Sequence, residues 1–151
     1  MSSGPAAEPR CSAVVRILPV VLLVAAAVLP HLPAAGEGSR FIYDDREFVQ
    51  QNGSIRSVGA AIDAFVSPFP PEQPEGGRYR PLTALSYAVD YSLFGATPAG
   101  FHLSNIATYL AVVLLVYLLF CQLLGSRLLA SAGALIFAAH PVHCEAVDSI
   151  A

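Results

Sequence analysis

Residues Leu103 to Leu124 read LSNIATYLAVVLLVYLLFCQLL, a stretch without a single charge. Within it, Ala107 to Phe120 is apolar apart from Thr108 and the two tyrosines Tyr109 and Tyr117. About 20 such residues, wound as a helix, span about 30 Å of hydrocarbon, so 103–124 reads as a transmembrane helix. The rest of the chain agrees in composition. Of its 151 residues, 55% are hydrophobic and only 13% charged, and the mean hydropathy is +0.59. An ordinary soluble domain carries about 25% charged residues. There is no Lys, the eight cations are all Arg, and the net charge is -3. That unclustered, slightly acidic balance argues against a nucleic-acid partner. Cys11, Cys121 and Cys144 are too scattered to form a CxxC pair or a disulfide framework.

Two more apolar blocks flank this helix. Ile17 to Leu32 follows Arg10 and Arg16 and contains Pro19, Pro30 and His31. It fits a first membrane helix over 13–33. A cleavable signal peptide ending near Pro33-Ala34-Ala35 has the same length and basic flank, and either way the segment after it is exported. On the other side, Leu128 to Ala139 is too short to span at about 1.5 Å per residue. It reaches spanning length only as a third helix over 128–147. Ala130, Ala134 and Ala138 recur every fourth residue in it, a spacing that lets helices approach closely in lipid. Basic residues favour the cytoplasmic side. Arg10, Arg16 and Arg127 therefore place the N-terminus (1–12) and the turn 125–127 inside, and the loop 34–102 outside.

The fold class expected is an all-α polytopic membrane protein with about three transmembrane helices and a long outer loop carrying short amphipathic helices. In that loop, Ile55, Val58, Ala61, Ile62 and Phe65 follow the 3/4 spacing of an interfacial helix. Ser67 to Gly77, with four prolines and two glycines, is a break. Pro81 to Leu93 forms a second helical patch.

This topology gathers the chemically capable side chains at the outer face. Asp44 and Asp45 are adjacent in FIYDDREF. Neighbouring carboxylates repel, which raises one toward a useful general base, and they also suit a divalent cation; a merely solvated acidic loop has the same appearance. His140, His143 and Glu145 in HPVHCEAV supply three potential ligands at membrane depth, where ionisable groups are costly and so point to function. The plain alternative is a polar cap on the third helix. Arg80 in GRYRPL carries a guanidinium fork suited to phosphate and equally to lipid headgroups. His102 and Asn105 open the second helix. No Gly-rich phosphate loop, GxSxG or Cys/His nucleophile pair is present, so soluble nucleotide-binding and serine-hydrolase readings lose support.

In order along the chain, FIYDDREFV, RYRPLTALSYAVDYSLFG, TPAGFHLSNI and LIFAAHPVHCEAVDSIA resemble the membrane half of the transmembrane and tetratricopeptide-repeat (TMTC-like) proteins, multi-spanning GT-C glycosyltransferases. The resemblance covers about Phe41 to Ala151. It implies transfer of a sugar, typically mannose, from a polyprenyl-phosphate donor to a hydroxyl of a protein or glycan. It also implies a multi-pass location in a bacterial inner membrane or the endoplasmic reticulum membrane. Asp44 and Asp45 would inherit the catalytic role. Arg80, His102, Asn105, His140, His143 and Glu145 would inherit substrate or lipid-phosphate binding, and the metal requirement is open. Asn52-Gly53 stands where the family more often has Asn-Pro. Family members continue through further helices and many add helical repeats, so the resemblance implies an incomplete GT-C membrane domain, inactive as an isolated piece. The competing expectation is a small non-catalytic membrane protein acting in partner binding or assembly, with the alanine stripe as its contact surface.

Overall fold

The computed structural model describes residues 13–42, 44–67, 69 and 78–150. Its elements are helical. Helix α1 (Ala13–Val28) continues as a 3-10 turn over Leu29–Ala35. A π-helical turn (Arg46–Gln50), a 3-10 turn (Ser54–Arg56), α2 (Val58–Ile62) and a further 3-10 turn (Asp63–Phe65) follow. Then come α3 (Pro81–Phe94), α4 (Pro98–Leu124), α5 (Arg127–Ala138) and α6 (His143–Asp148). Among the described residues the extended pairing is one isolated antiparallel bridge, Phe69 with Arg78, closed by two 2.9 Å backbone hydrogen bonds.

The long helix α4 starts earlier than the apolar run suggests. Pro98 occupies its first turn, where a missing N–H costs nothing, and Gly125 ends it at φ 62, the left-handed position that favours glycine. Its 27 residues measure about 40 Å at 1.5 Å each. Two helical stretches, Ile17–Ala35 and Pro98–Leu124, are long and apolar enough to cross a membrane. Their outward faces carry Ile17, Val21, Leu115 and Leu123, all more than half exposed. Large apolar side chains turned outward around a small packed interior suit lipid rather than water.

The third apolar block is not one helix over 128–147. Helix α5 stops at Ala138, and α6 begins only at His143. Pro141 has no N–H for a continuing ladder and clashes with the preceding turn, so the chain bends between them. At 12 residues α5 measures about 18 Å, short of the hydrocarbon thickness. Its alanine stripe is spent inside the chain. Ala130, Ala134 and Ala138 are buried, the last two in one cluster with Leu23 and Ala27 of α1 and Ile106, Tyr109 and Val113 of α4. A side chain at Gly133 would meet the Phe120 ring at 2.8 Å, which shows how closely α4 and α5 approach.

A second apolar cluster sits beyond the start of α4. Phe41, Phe48, Val49, Ile55, Ala61, Ala64 and Phe69 pack there with Ala84, Tyr87, Phe101 and Ile150. The expected interfacial helix over 55–65 is instead three short turns. Ile55 and Ala61 are buried while Val58, Ile62 and Phe65 are exposed, because the five-residue α2 is too short to keep one face inward. The proline break at 67–77 lies largely outside the described residues, yet Phe69 at its start is fully buried.

Candidate functional site

Helix α4 links the two clusters, and its first two turns carry the polar seam between them. Phe101 belongs to the first cluster and Ile106 to the second, with His102 and Asn105 between. His102 is buried, and its Nδ1 has no hydrogen-bond partner. The Asn105 Nδ2 amide donates to the carbonyls of Ser149 at 2.8 Å and Val147 at 3.4 Å. That bond pair anchors the end of α6 to α4, so the Asn105 amide serves the fold.

The acidic pair divides its roles by burial. Asp45 is only 1% exposed, and its Oδ2 accepts the Ile42 N–H at 2.9 Å. Asp44 is exposed, and its backbone carbonyl accepts the N–H groups of Glu47 and Phe48 at 3.0 Å. A π-helical turn begins directly after the pair, a form frequent at functional sites. Asp45 lies close enough to act electrostatically on the neighbouring Tyr87. The Tyr87 hydroxyl is pushed up to about 12, first by burial and then by the Asp45 charge, with Arg80 opposing and Asp90 adding. It donates to the Ile150 carbonyl at 2.5 Å. Arg80, the residue before α3, sets its guanidinium 6.0 Å from the Phe48 ring centre. Asp45, Arg80, Tyr87 and His102 thus share one neighbourhood.

The histidine motif is split. His143 opens α6 and packs its ring on Phe137 and Tyr109, with centroids 4.5 and 5.2 Å away. His140 precedes that helix, exposed, its Nδ1 accepting the Val142 N–H at 3.2 Å. Glu145 is exposed, its backbone carbonyl accepting the Ser149 N–H. The two histidines meet edge to face with centroids 6.2 Å apart rather than sharing a helical face. Among the described residues no three His, Cys, Asp or Glu side chains converge as a metal would require.

Sequence reasoning missed the pair that completes this layer. His31, buried beyond the end of α1, places Nδ1 2.7 Å from Asp148 Oδ1 and stands edge-on to Tyr109. Asp148 thereby ties the first apolar helical stretch to α6. The signal was a histidine inside an apolar run, costly unless it has a partner. Among the described residues Asp90 is a second buried carboxyl, accepting from Ser104 Oγ at 2.6 Å across the α3–α4 junction. Burial raises its pKa, and the Ser104 bond opposes that rise.

No family model and no solved structure matches the chain. Curated relatives do. It is 36% identical over 114 residues to the protein O-mannosyl-transferase Tmtc1 of Drosophila melanogaster, covering 73% of this chain and 13% of that protein. With Drosophila Tmtc2 the identity is 34% over 118 residues, covering 75% and 13%. With the protein O-mannosyl-transferase F38B6.6 of Caenorhabditis elegans it is 27% over 138 residues, covering 87% and 20%. The chain therefore spans between about an eighth and a fifth of these relatives' length. Over most of its own length the sequence matches these relatives, and the chain belongs to the TMTC-like proteins as a segment of one.

Proposed function

We propose that this segment forms the acidic head of a multi-pass membrane glycosyltransferase of GT-C type. The enzyme transfers mannose from a polyprenyl-phosphate donor to a hydroxyl of a protein or glycan, on the outer or lumenal side of a bacterial inner membrane or the endoplasmic reticulum membrane. The observation that carries the reading is the unequal pair: an exposed Asp44 beside a buried, hydrogen-bonded Asp45, at one end of a long apolar helix in a mannosyl-transferase relative.

A hydroxyl is a poor nucleophile, so a carboxylate within hydrogen-bond reach assists by taking its proton. Asp44 takes that proton as the acceptor oxygen bonds to the anomeric carbon. The bond from that carbon to the donor phosphate breaks, and the polyprenyl phosphate leaves with the electron pair. Asp45 holds the turn that presents Asp44. Arg80 and the unpartnered Nδ1 of His102 are suited to stabilise charge on the leaving phosphate. His140 and Glu145, exposed at the rim, meet acceptor or headgroups, while His143 and Asn105 position α6. A divalent cation between Asp44 and Asp45 fits poorly, because Asp45 Oδ2 is engaged by the Ile42 N–H and no third donor joins them among the described residues. No step here depends on one. The non-catalytic assembly reading is less favoured, since the alanine stripe that would carry it is buried within the chain.

The donor class is the discriminating test. Membranes containing the whole protein are given mannose as polyprenyl phosphate or as a nucleotide sugar, with nucleotide-to-lipid transfer blocked. Incorporation from the lipid-linked donor is expected. Incorporation from the nucleotide sugar alone would overturn the proposal.

A further inference from the structure

We propose that a cleft beside the acidic turn, distinct from the Arg80 and His102 neighbourhood, is a binding site for a phosphate group. The cleft, about 460 Å³, is lined by Ser39, Arg40, Arg46, Gln50, Gln51 and Pro98 among others. Two arginines and two glutamines line it, and among the described residues no carboxylate does. Both arginines are exposed, and among the described residues neither side chain has a hydrogen bond or an ion pair. Two arginines held in one concavity without an ion pair are notable in a chain whose net charge is -3.

The chemistry of the lining selects the ligand class. A guanidinium presents a rigid fork of donors that matches phosphate oxygens in pairs, and glutamine amides add neutral donors. The wall at Pro98 is the start of the 27-residue helix α4, whose cap residue Thr97 donates its hydroxyl to the Phe94 carbonyl at 2.8 Å and accepts no N–H of the helix's first turn. The positive end of that helix adds to the attraction. A phosphate monoester or diester satisfies all of these donors. The cleft lies at the same end of α4 as Asp44, where lipid headgroups would stand, so the phosphate can belong to an anionic lipid headgroup or to a free phosphate. The proposal goes beyond the transferase reading and stands without it.

The test uses the full chain purified in an alkyl maltoside detergent, which has no phosphate of its own. It is titrated with inorganic phosphate and with dihexanoyl phosphatidic acid, followed by calorimetry. Saturable binding of at least one probe is expected. Arg40→Gln/Arg46→Gln together should weaken it at least about tenfold, the loss expected of one charge-assisted hydrogen bond or more. Arg127→Gln, at the other end of α4, should leave it within twofold. Because both arginines are exposed, helicity by circular dichroism should be unchanged in the double variant, and the single variants provide the same reading should it misfold. Equal binding of both probes means that the phosphate group itself is recognised, and binding of the lipid alone assigns the site to headgroups. No saturable binding of either probe, or unchanged affinity in the double variant, overturns the proposal.

Discussion

At Asp44 and Asp45, adjacency in sequence conceals opposite surroundings. Both read as one acidic dipeptide, yet only folding decides that Asp45 caps the Ile42 N–H while Asp44 stays in solvent. Replacing Asp45 by Ala empties a buried position and takes the acceptor from the Ile42 N–H, which costs about 1–3 kcal/mol. We expect a corresponding fall in the denaturation midpoint, with no comparable fall for Asp44→Ala. Tyr87 gives a pH signature. Its folded-state value of about 12 lies above the ordinary 10.0, so the folded chain holds that proton more tightly than the unfolded chain. The stabilisation is complete below pH 10 and is lost as pH rises through 12, amounting to about 2–3 kcal/mol at 1.36 kcal/mol per unit. Denaturation midpoints measured from pH 9 to 12 should show a drop that Tyr87→Phe largely removes. A Tyr87→Phe variant with the same alkaline profile would show that another group is responsible. Asn52-Gly53 is a milder case. Asn52 is fully buried, and its Oδ1 accepts from the Ser54 N–H and hydroxyl at 2.9 and 2.6 Å. Gly53 sits at φ -71, an angle proline also takes, so the departure from Asn-Pro leaves the turn's path intact.

Among the elements, long periodic runs were legible and short ones were not. Helix α4 and the helix over Pro81–Phe94 follow from apolar runs bounded by Pro and Gly. The α5–α6 break is written in Pro141, although only the combined stretch 128–147 has spanning length. Phe69 was hidden by its proline-rich surroundings, because its burial depends on Phe48 and Tyr87, distant in sequence, at 5.6 and 6.2 Å between ring centres. The α3–α4 corner is the most constrained joint. Gly95 takes φ 63 with ψ -153, a combination essentially confined to glycine. A side chain at Gly100 would come within 2.4 Å of Phe94 Cβ. Gly100→Ala should destabilise the chain by about 1–3 kcal/mol through overpacking, read as a lower melting temperature. At the alanine stripe, Ala134→Leu should likewise cost about 1–3 kcal/mol while the particle size in detergent stays the same. A change of size with stability intact would mean that the stripe joins separate chains.

The whole molecule consists of an outward-apolar helical bundle and a smaller aromatic cluster, joined by a polar seam on the first two turns of α4. The apolar run lengths foretell the long helical stretches, and the topology read from them expects the polar groups at one end. It could not foretell how they sort, because sorting depends on contacts between residues far apart in sequence: His31 with Asp148, Asn105 with Ser149, Tyr87 with Ile150. The sorting separates side chains that serve the fold from those free to act, and it leaves Asp44 as the exposed carboxylate of the acidic turn. The most direct measurement compares mannose transfer from a polyprenyl-phosphate donor by the whole protein and by its Asp44→Asn variant, with membrane insertion checked in parallel. Loss of a general base should lower transfer by about 10²–10⁴-fold with insertion unchanged. Transfer at the original rate by an inserted Asp44→Asn protein would contradict the account.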